Sequence, residues 1–150
     1  MKHHSTKGFA LIELMVVLAI VAILVVIVST TYRSYQIRAH RADVKTQMSI
    51  IAQNLATYRL ANNDYGASSS YAANVLQNSA IYGGTSFPLI GTQYYDFTIT
   101  ASPSSSWTLR AVPRAGSQAN NGDIKLTDQG WRCWSQGNAN CTLSASSTWD

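Results

Sequence analysis

The stretch Lys7-Gly8-Phe9-Ala10-Leu11-Ile12-Glu13-Leu14, followed by an apolar run to Val28, decides how the rest of the chain is read. Across residues 9–31 the only charged side chain is Glu13. A helix of that length, rising about 1.5 Å per residue, crosses a hydrocarbon core of roughly 30 Å. A carboxylate near the start of such a segment is costly in lipid unless a cation meets it. An ordinary secretory signal peptide fits poorly, because the apolar core is longer than usual and carries that charge. No small-x-small cleavage site follows before Tyr32. A signal anchor with Lys2 and Lys7 on the cytoplasmic side explains the orientation, N-terminus in and C-terminus out, but not Glu13. The expectation is a single-span membrane protein.

A short basic leader ending in Gly8, then Phe9-Ala10-Leu11-Ile12-Glu13-Leu14-Met15-Val16-Val17, resembles the N-terminus of type IV pilins. The likeness runs from Lys7 to about Tyr35 and includes Tyr32. It implies that a prepilin peptidase cuts between Gly8 and Phe9 and methylates the new N-terminal Phe9. It also implies that Glu13 pairs with the N-terminal amine of a neighbouring subunit during assembly. A carboxylate and an ammonium neutralise each other in an apolar bundle, so the pair sets register more than it stabilises. One departure from the family's major subunits stands out: Ala22 and Thr30 occupy positions that commonly carry Gly and Pro. No Gly or Pro occurs between Gly8 and Gly66. A continuous helix is therefore expected, softened near Ser29–Thr31 where β-branched residues cluster. This favours a minor pilin.

The mature chain then divides into a filament-core segment, 9–31, and one head domain, 32–150, behind a leader, 1–8. Charged residues are 12 % of the chain, and the formal charge of +4 falls to +2 once Lys2 and Lys7 leave. That balance alone does not indicate nucleic acid. Cys133 and Cys141, in a chain expected to be exported, read as a disulfide closing a short loop; free thiols or a metal site are the alternatives.

Residues 32–61 continue the helix, with Ile37, Arg41, Val44, Met48, Ile51, Leu55 and Tyr58 on one face and Ala52 and Leu60 widening it. Arg38, Asp43, Lys45, Gln47, Gln53 and Arg59 fall on the wet side, and Asn62-Asn63-Asp64-Tyr65-Gly66 ends the helix. Residues 62–92 form a loop that the sequence specifies poorly, with a short helix at Ala72–Ala80 and the anchors Tyr65, Tyr71, Val75, Leu76, Ile81, Tyr82 and Phe87. Residues 93–134 read as a four-stranded antiparallel β-meander. Tyr95/Phe97/Ile99 and Trp107/Leu109/Ala111 alternate with polar residues, Pro113 stops the second strand, and Asp123–Thr127 and Trp131–Trp134 flank a turn at Asp128-Gln129-Gly130. The fold class is α+β, the type IV pilin fold, with a disulfide-bounded tail at 133–150. This half resembles class IVa minor pilins of the PilE and ComP type. In pilins the loop at 62–92 is the αβ-loop and the disulfide loop is the D-region.

Catalysis lacks its parts. His3 and His4 leave with the leader, His40 stands on a helix without an obvious partner, and no nucleophile or phosphate-loop motif is present. No cofactor is expected. The resemblance implies a minor pilin subunit supporting assembly, twitching, adhesion or DNA uptake. Its partners are other pilins, the prepilin peptidase, the inner-membrane assembly platform and, before assembly, the membrane itself. It is expected at the inner membrane and then in the extracellular pilus. A second reading is a ComP-like DNA receptor of natural transformation, with Arg110, Arg114, Lys125 and Arg132 as the basic strip and Trp131, Trp134 and Trp149 beside them. A third is a type II secretion pseudopilin, for which Asp123, Asp128 and Asp150 are too dispersed to build a calcium site.

Overall fold

The computed structural model describes residues 7–63, 65, 75–102, 106–116 and 118–149. Helix α1 spans Lys7–Asn62, and strands β1 (Ser86–Phe87), β2 (Tyr95–Ser102), β3 (Ser106–Pro113), β4 (Ile124–Thr127) and β5 (Arg132–Trp134) follow. The chain forms two compact units, Met1–Gln36 and Ile37–Asp150.

In the first unit the helix is apolar all round. Leu11, Leu18, Ile23 and Val26 are each more than half exposed, and the segment is long and apolar enough to cross a membrane. Helical hydrogen bonding persists through the β-branched stretch, where Ser29 Oγ donates to the Val26 carbonyl. The expected softening near Ser29–Thr31 does not interrupt it.

In the second unit α1 becomes one-sided. Val44, Met48, Ile51 and Leu55 are fully buried, with Ala52 and Tyr58 packed at the margin. Each such side chain contributes about 1.5–3 kcal/mol by leaving water. Leu60, expected on this stripe, is 88 % exposed. Five residues beyond Leu55 it has turned about 140° away from the buried face. Lys45 and Gln47, expected on the wet side, are half-buried, and Lys45 is met by the C-terminal tail, where it donates to the Trp149 carbonyl. The helix ends at Asn63, whose positive φ of 58° and N–H to the Arg59 carbonyl close it with a left-handed cap. Arg59 in the last turn complements the carbonyl end and reaches the Tyr65 hydroxyl.

The sheet is antiparallel throughout, in the order β1-β2-β3-β4-β5. The four strands read from the sequence are β2 to β5; a two-residue strand, β1, adds a fifth at the edge by pairing Ser86 with Asp96. Two residues are too few to carry a period-two signal, and the pairing is made by backbone. Along β3 the burial alternates strictly, with Trp107, Leu109 and Ala111 inward. Tyr95, Phe97, Ile124 and Leu126 line the same face and meet the α1 stripe in one core. Of the expected helix at Ala72–Ala80, residues 72–74 lie outside the described residues. Val75–Tyr82 forms successive turns in which Asn78 accepts from Ile81 and Tyr82. Tyr65, Val75, Leu76 and Ile81 are buried anchors as read, while Tyr71 lies outside the described residues.

Candidate functional site

The four expected DNA-facing cations do not form one strip. On β3 and β4, Arg110 and Lys125 are register partners on the sheet face opposite the core. Arg132 pairs in register with Leu126, an inward residue, so it points to the helix side of the sheet at the β5 edge. Arg114 follows the end of β3 and holds its backbone on the Tyr94 carbonyl.

Their charges also differ in how far they are compensated. Arg110 donates to Asp123, whose side chain is 4 % exposed, in a close ion pair. Arg114 grips Asp96 with Nε and Nη2, at 2.9 and 2.7 Å, and Nη2 also reaches Ser86 Oγ. Hydrogen bonding from Arg114 holds the Asp96 carboxyl below its ordinary value; burial opposes this, and Ser86 and the Arg114 charge reinforce it. Lys125 directs its ammonium toward the Cys141 carbonyl at 3.4 Å.

Cys133 and Cys141 are joined in a disulfide with Cα atoms 5.9 Å apart, and no cysteine is free. The loop it closes is laid against the segment before β4. Asp123 N–H donates to the Asn138 carbonyl, and Trp134 Nε1–H donates to the Asn121 carbonyl at 2.7 Å. Gly122 lies between, with φ +78°, and a β-carbon there would fall on the Ser135 carbonyl oxygen, so no side chain fits. The tail then returns to the helix: Trp149 Nε1–H bonds to the Lys125 carbonyl, and Lys45 Nζ donates to the Trp149 carbonyl.

This path creates a groove of about 340 Å³ between α1 and the tail, lined by Arg38, Arg41, Lys45, Trp134, Gln136 and Trp149. The Arg41 guanidinium lies 3.8 Å from the Trp134 ring centre, Lys45 lies 5.4 Å from the same ring, and Arg132 lies 5.2 Å from Trp149. Arg38, Arg41 and Lys45, at steps of three and four, line the groove together, so Arg41, read on the apolar stripe, stands with two cations read on the wet side. Their meeting with Trp134 and Trp149 was not visible, because the sequence does not say where the tail returns. Burial holds the Arg41 guanidinium below its ordinary value, with Tyr95 opposing and Arg38 adding to it.

Behind the groove lies a polar network. Asn121 Nδ2 donates to both Tyr95 Oη and Gln118 Oε1, and the Tyr95 hydroxyl donates to Gln118 Oε1. The Gln118 amide nitrogen therefore faces His40 Nδ1, 2.9 Å away, which must accept. His40, expected to lack a partner, has two: this amide and the Tyr94 ring, stacked at 3.7 Å. Burial pushes the Tyr95 hydroxyl up to about 12, so it stays protonated and donates.

Comparison with family models matches residues 30–123 to Type IV minor pilin ComP, DNA uptake sequence receptor, and residues 3–29 to the prokaryotic N-terminal methylation motif. No curated protein and no solved structure matches the chain. The first match spans well over half of the chain and covers the α1 stripe, the loop and strands β1 to β3. Together with the methylation motif and the helix-on-sheet fold closed by Cys133–Cys141, it places this chain in the ComP family of type IV minor pilins.

Proposed function

We propose that this minor pilin is the subunit through which a type IV pilus binds duplex DNA for uptake. The family match through residues 30–123, whose description names a DNA uptake sequence receptor, carries that reading. The chain acts by binding and assembly rather than as an enzyme. Before assembly it is held in the inner membrane by residues 9–31 with its N-terminus inside. Cleavage after Gly8 by a prepilin peptidase and methylation of Phe9 then prepare it for packing among other pilins, where Glu13 meets a neighbouring N-terminal amine. The reading is tested by titrating a short labelled duplex with the full chain in detergent across a salt series. Micromolar or tighter binding that weakens steeply with salt is expected, because phosphate contacts release condensed counterions. No binding at low salt would return the chain to an assembly role alone. Intact mass of the filament subunit tests the processing: loss of residues 1–8 and gain of one methyl group is expected.

A further inference from the structure

The positive charge of the head is distributed unevenly in its freedom. Among the described residues the two ion pairs are Arg110–Asp123 and Arg114–Asp96. The arginines of the sheet's outer side are thus met by carboxylates. Arg38, Arg41 and Arg132 belong to neither pair, and two of them lie over tryptophan rings instead. A ring face orients a guanidinium without neutralising it, because the attraction is quadrupolar. Both rings are themselves held: Trp134 by its N–H on the Asn121 carbonyl and Trp149 by its N–H on the Lys125 carbonyl. One Arg41 donor, Nε, is buried without a hydrogen-bond partner among the described residues. Arginines that form no ion pair among the described residues, two of them oriented on fixed aromatic platforms, suit a phosphodiester backbone, since guanidinium matches phosphate geometry and little ordering of those two is left to be done on binding.

We propose that the DNA backbone is received in the groove between α1 and the C-terminal tail, with Arg38 and Arg41 as its phosphate contacts and Arg132 beside Trp149 at its border. This rests on the DNA-receptor reading and locates it away from Arg110 and Arg114. Trp134, Gln136 and Trp149, the tail's half of the groove, lie beyond residue 123, where the family match ends.

The test compares the full chain in detergent micelles with two double variants that remove equal charge. Arg38→Gln/Arg41→Gln empties the groove; Arg114→Gln/Lys125→Gln removes two cations elsewhere. By anisotropy of a labelled duplex, the groove variant is expected to lose about tenfold or more in affinity and to lower the salt slope by about two. The other variant is expected to stay within about threefold of the parent chain. Equal losses in both would mean a net-charge effect and would overturn the groove. Parent-like binding by the groove variant would overturn it too, while leaving the receptor reading standing. Absence of binding by the parent chain would remove both. Because Arg41 packs on Trp134, the single variant Arg38→Glu, at an exposed position, is measured in parallel with thermal melts. A fully folded Arg38→Glu chain that binds as tightly as the parent counts against the groove in the same way.

Discussion

Asp96 joins three parts of the head: strand β2 on which it sits, Ser86 of the edge strand β1, and Arg114 beyond β3. Its carboxyl is held below the ordinary value of 3.8, chiefly by hydrogen bonding from Arg114. A carboxylate whose folded value is depressed contributes stability that is present above the unfolded value and is lost as pH falls through the folded one. Asp96→Asn is therefore expected to be less stable than the parent at neutral pH, with the gap closing below about pH 4 as the parent's own carboxylate protonates. Urea unfolding of both chains at pH 7 and pH 3 measures it; a gap that persists or widens in acid would contradict the assignment. The pair is exposed on both sides, so the effect is small. Gly122 gives a larger one. Its φ of +78° alone disfavours a side chain, and the Ser135 carbonyl occupies the space a methyl group would need. Gly116 has φ +103° but open space around it. Gly116→Ala isolates the backbone cost of about 1 kcal/mol, whereas Gly122→Ala is expected to cost about 2–4 kcal/mol. Equal losses would mean the disulfide loop moves aside freely.

The elements divide cleanly into those whose own sequence specifies them and those made by distant partners. The α1 stripe of Val44, Met48, Ile51 and Leu55 was legible because buried helix residues recur at steps of three and four. The alternations Tyr95/Phe97 and Trp107/Leu109/Ala111 were legible because strand side chains alternate between faces. Strand β1, the ion pairs on Asp96 and Asp123, and the partners of His40 were not, since each depends on register or on a loop returning from elsewhere. The candidate site shows the same division: Cys133 and Cys141 were paired correctly from composition, but the four cations named for DNA sit on different sides of the sheet. The tail is the element on which the groove depends, and its one covalent tie is the disulfide. Replacing Cys133 and Cys141 by Ser is expected to cost about 2–3 kcal/mol through the freed loop. It also loosens the contacts of Asn138 on Asp123 and Lys125 on Cys141. If the groove receives DNA, the same variant binds duplex more weakly below its melting temperature, with Trp134 fluorescence shifted toward that of an exposed indole. Unchanged fluorescence and binding would show that the tail is held by its hydrogen bonds alone.

The head holds its own core, every buried apolar residue among those described lying between Val44 and Cys133, whereas the large apolar side chains of residues 11–28 stay about half or more exposed. That surface is complete only in lipid or among other subunits, and this frames the role of Glu13. In the membrane a single ionisable group in an apolar helix is a standing cost; in a filament it becomes a register mark once an ammonium meets it. In the processing proposed above, cleavage after Gly8 would supply such an ammonium on Phe9 of each subunit. On that proposal the pair would set register rather than affinity, since apolar packing along the rest of the segment would supply most of the association. Glu13→Ala is therefore expected to leave the head folded, with unchanged melting and unchanged duplex binding, and to leave membrane insertion and leader removal intact. Its loss appears in sheared filaments, where immunoblotting detects at least tenfold less of the variant than of the parent, about the loss that 1.4 kcal/mol of misregistered packing produces. Glu13→Gln, which keeps shape and a hydrogen-bonding oxygen but no charge, separates the two explanations. Depletion equal to that of the alanine variant assigns the effect to charge pairing with Phe9, and parent-like incorporation of either variant removes Glu13 from the assembly mechanism.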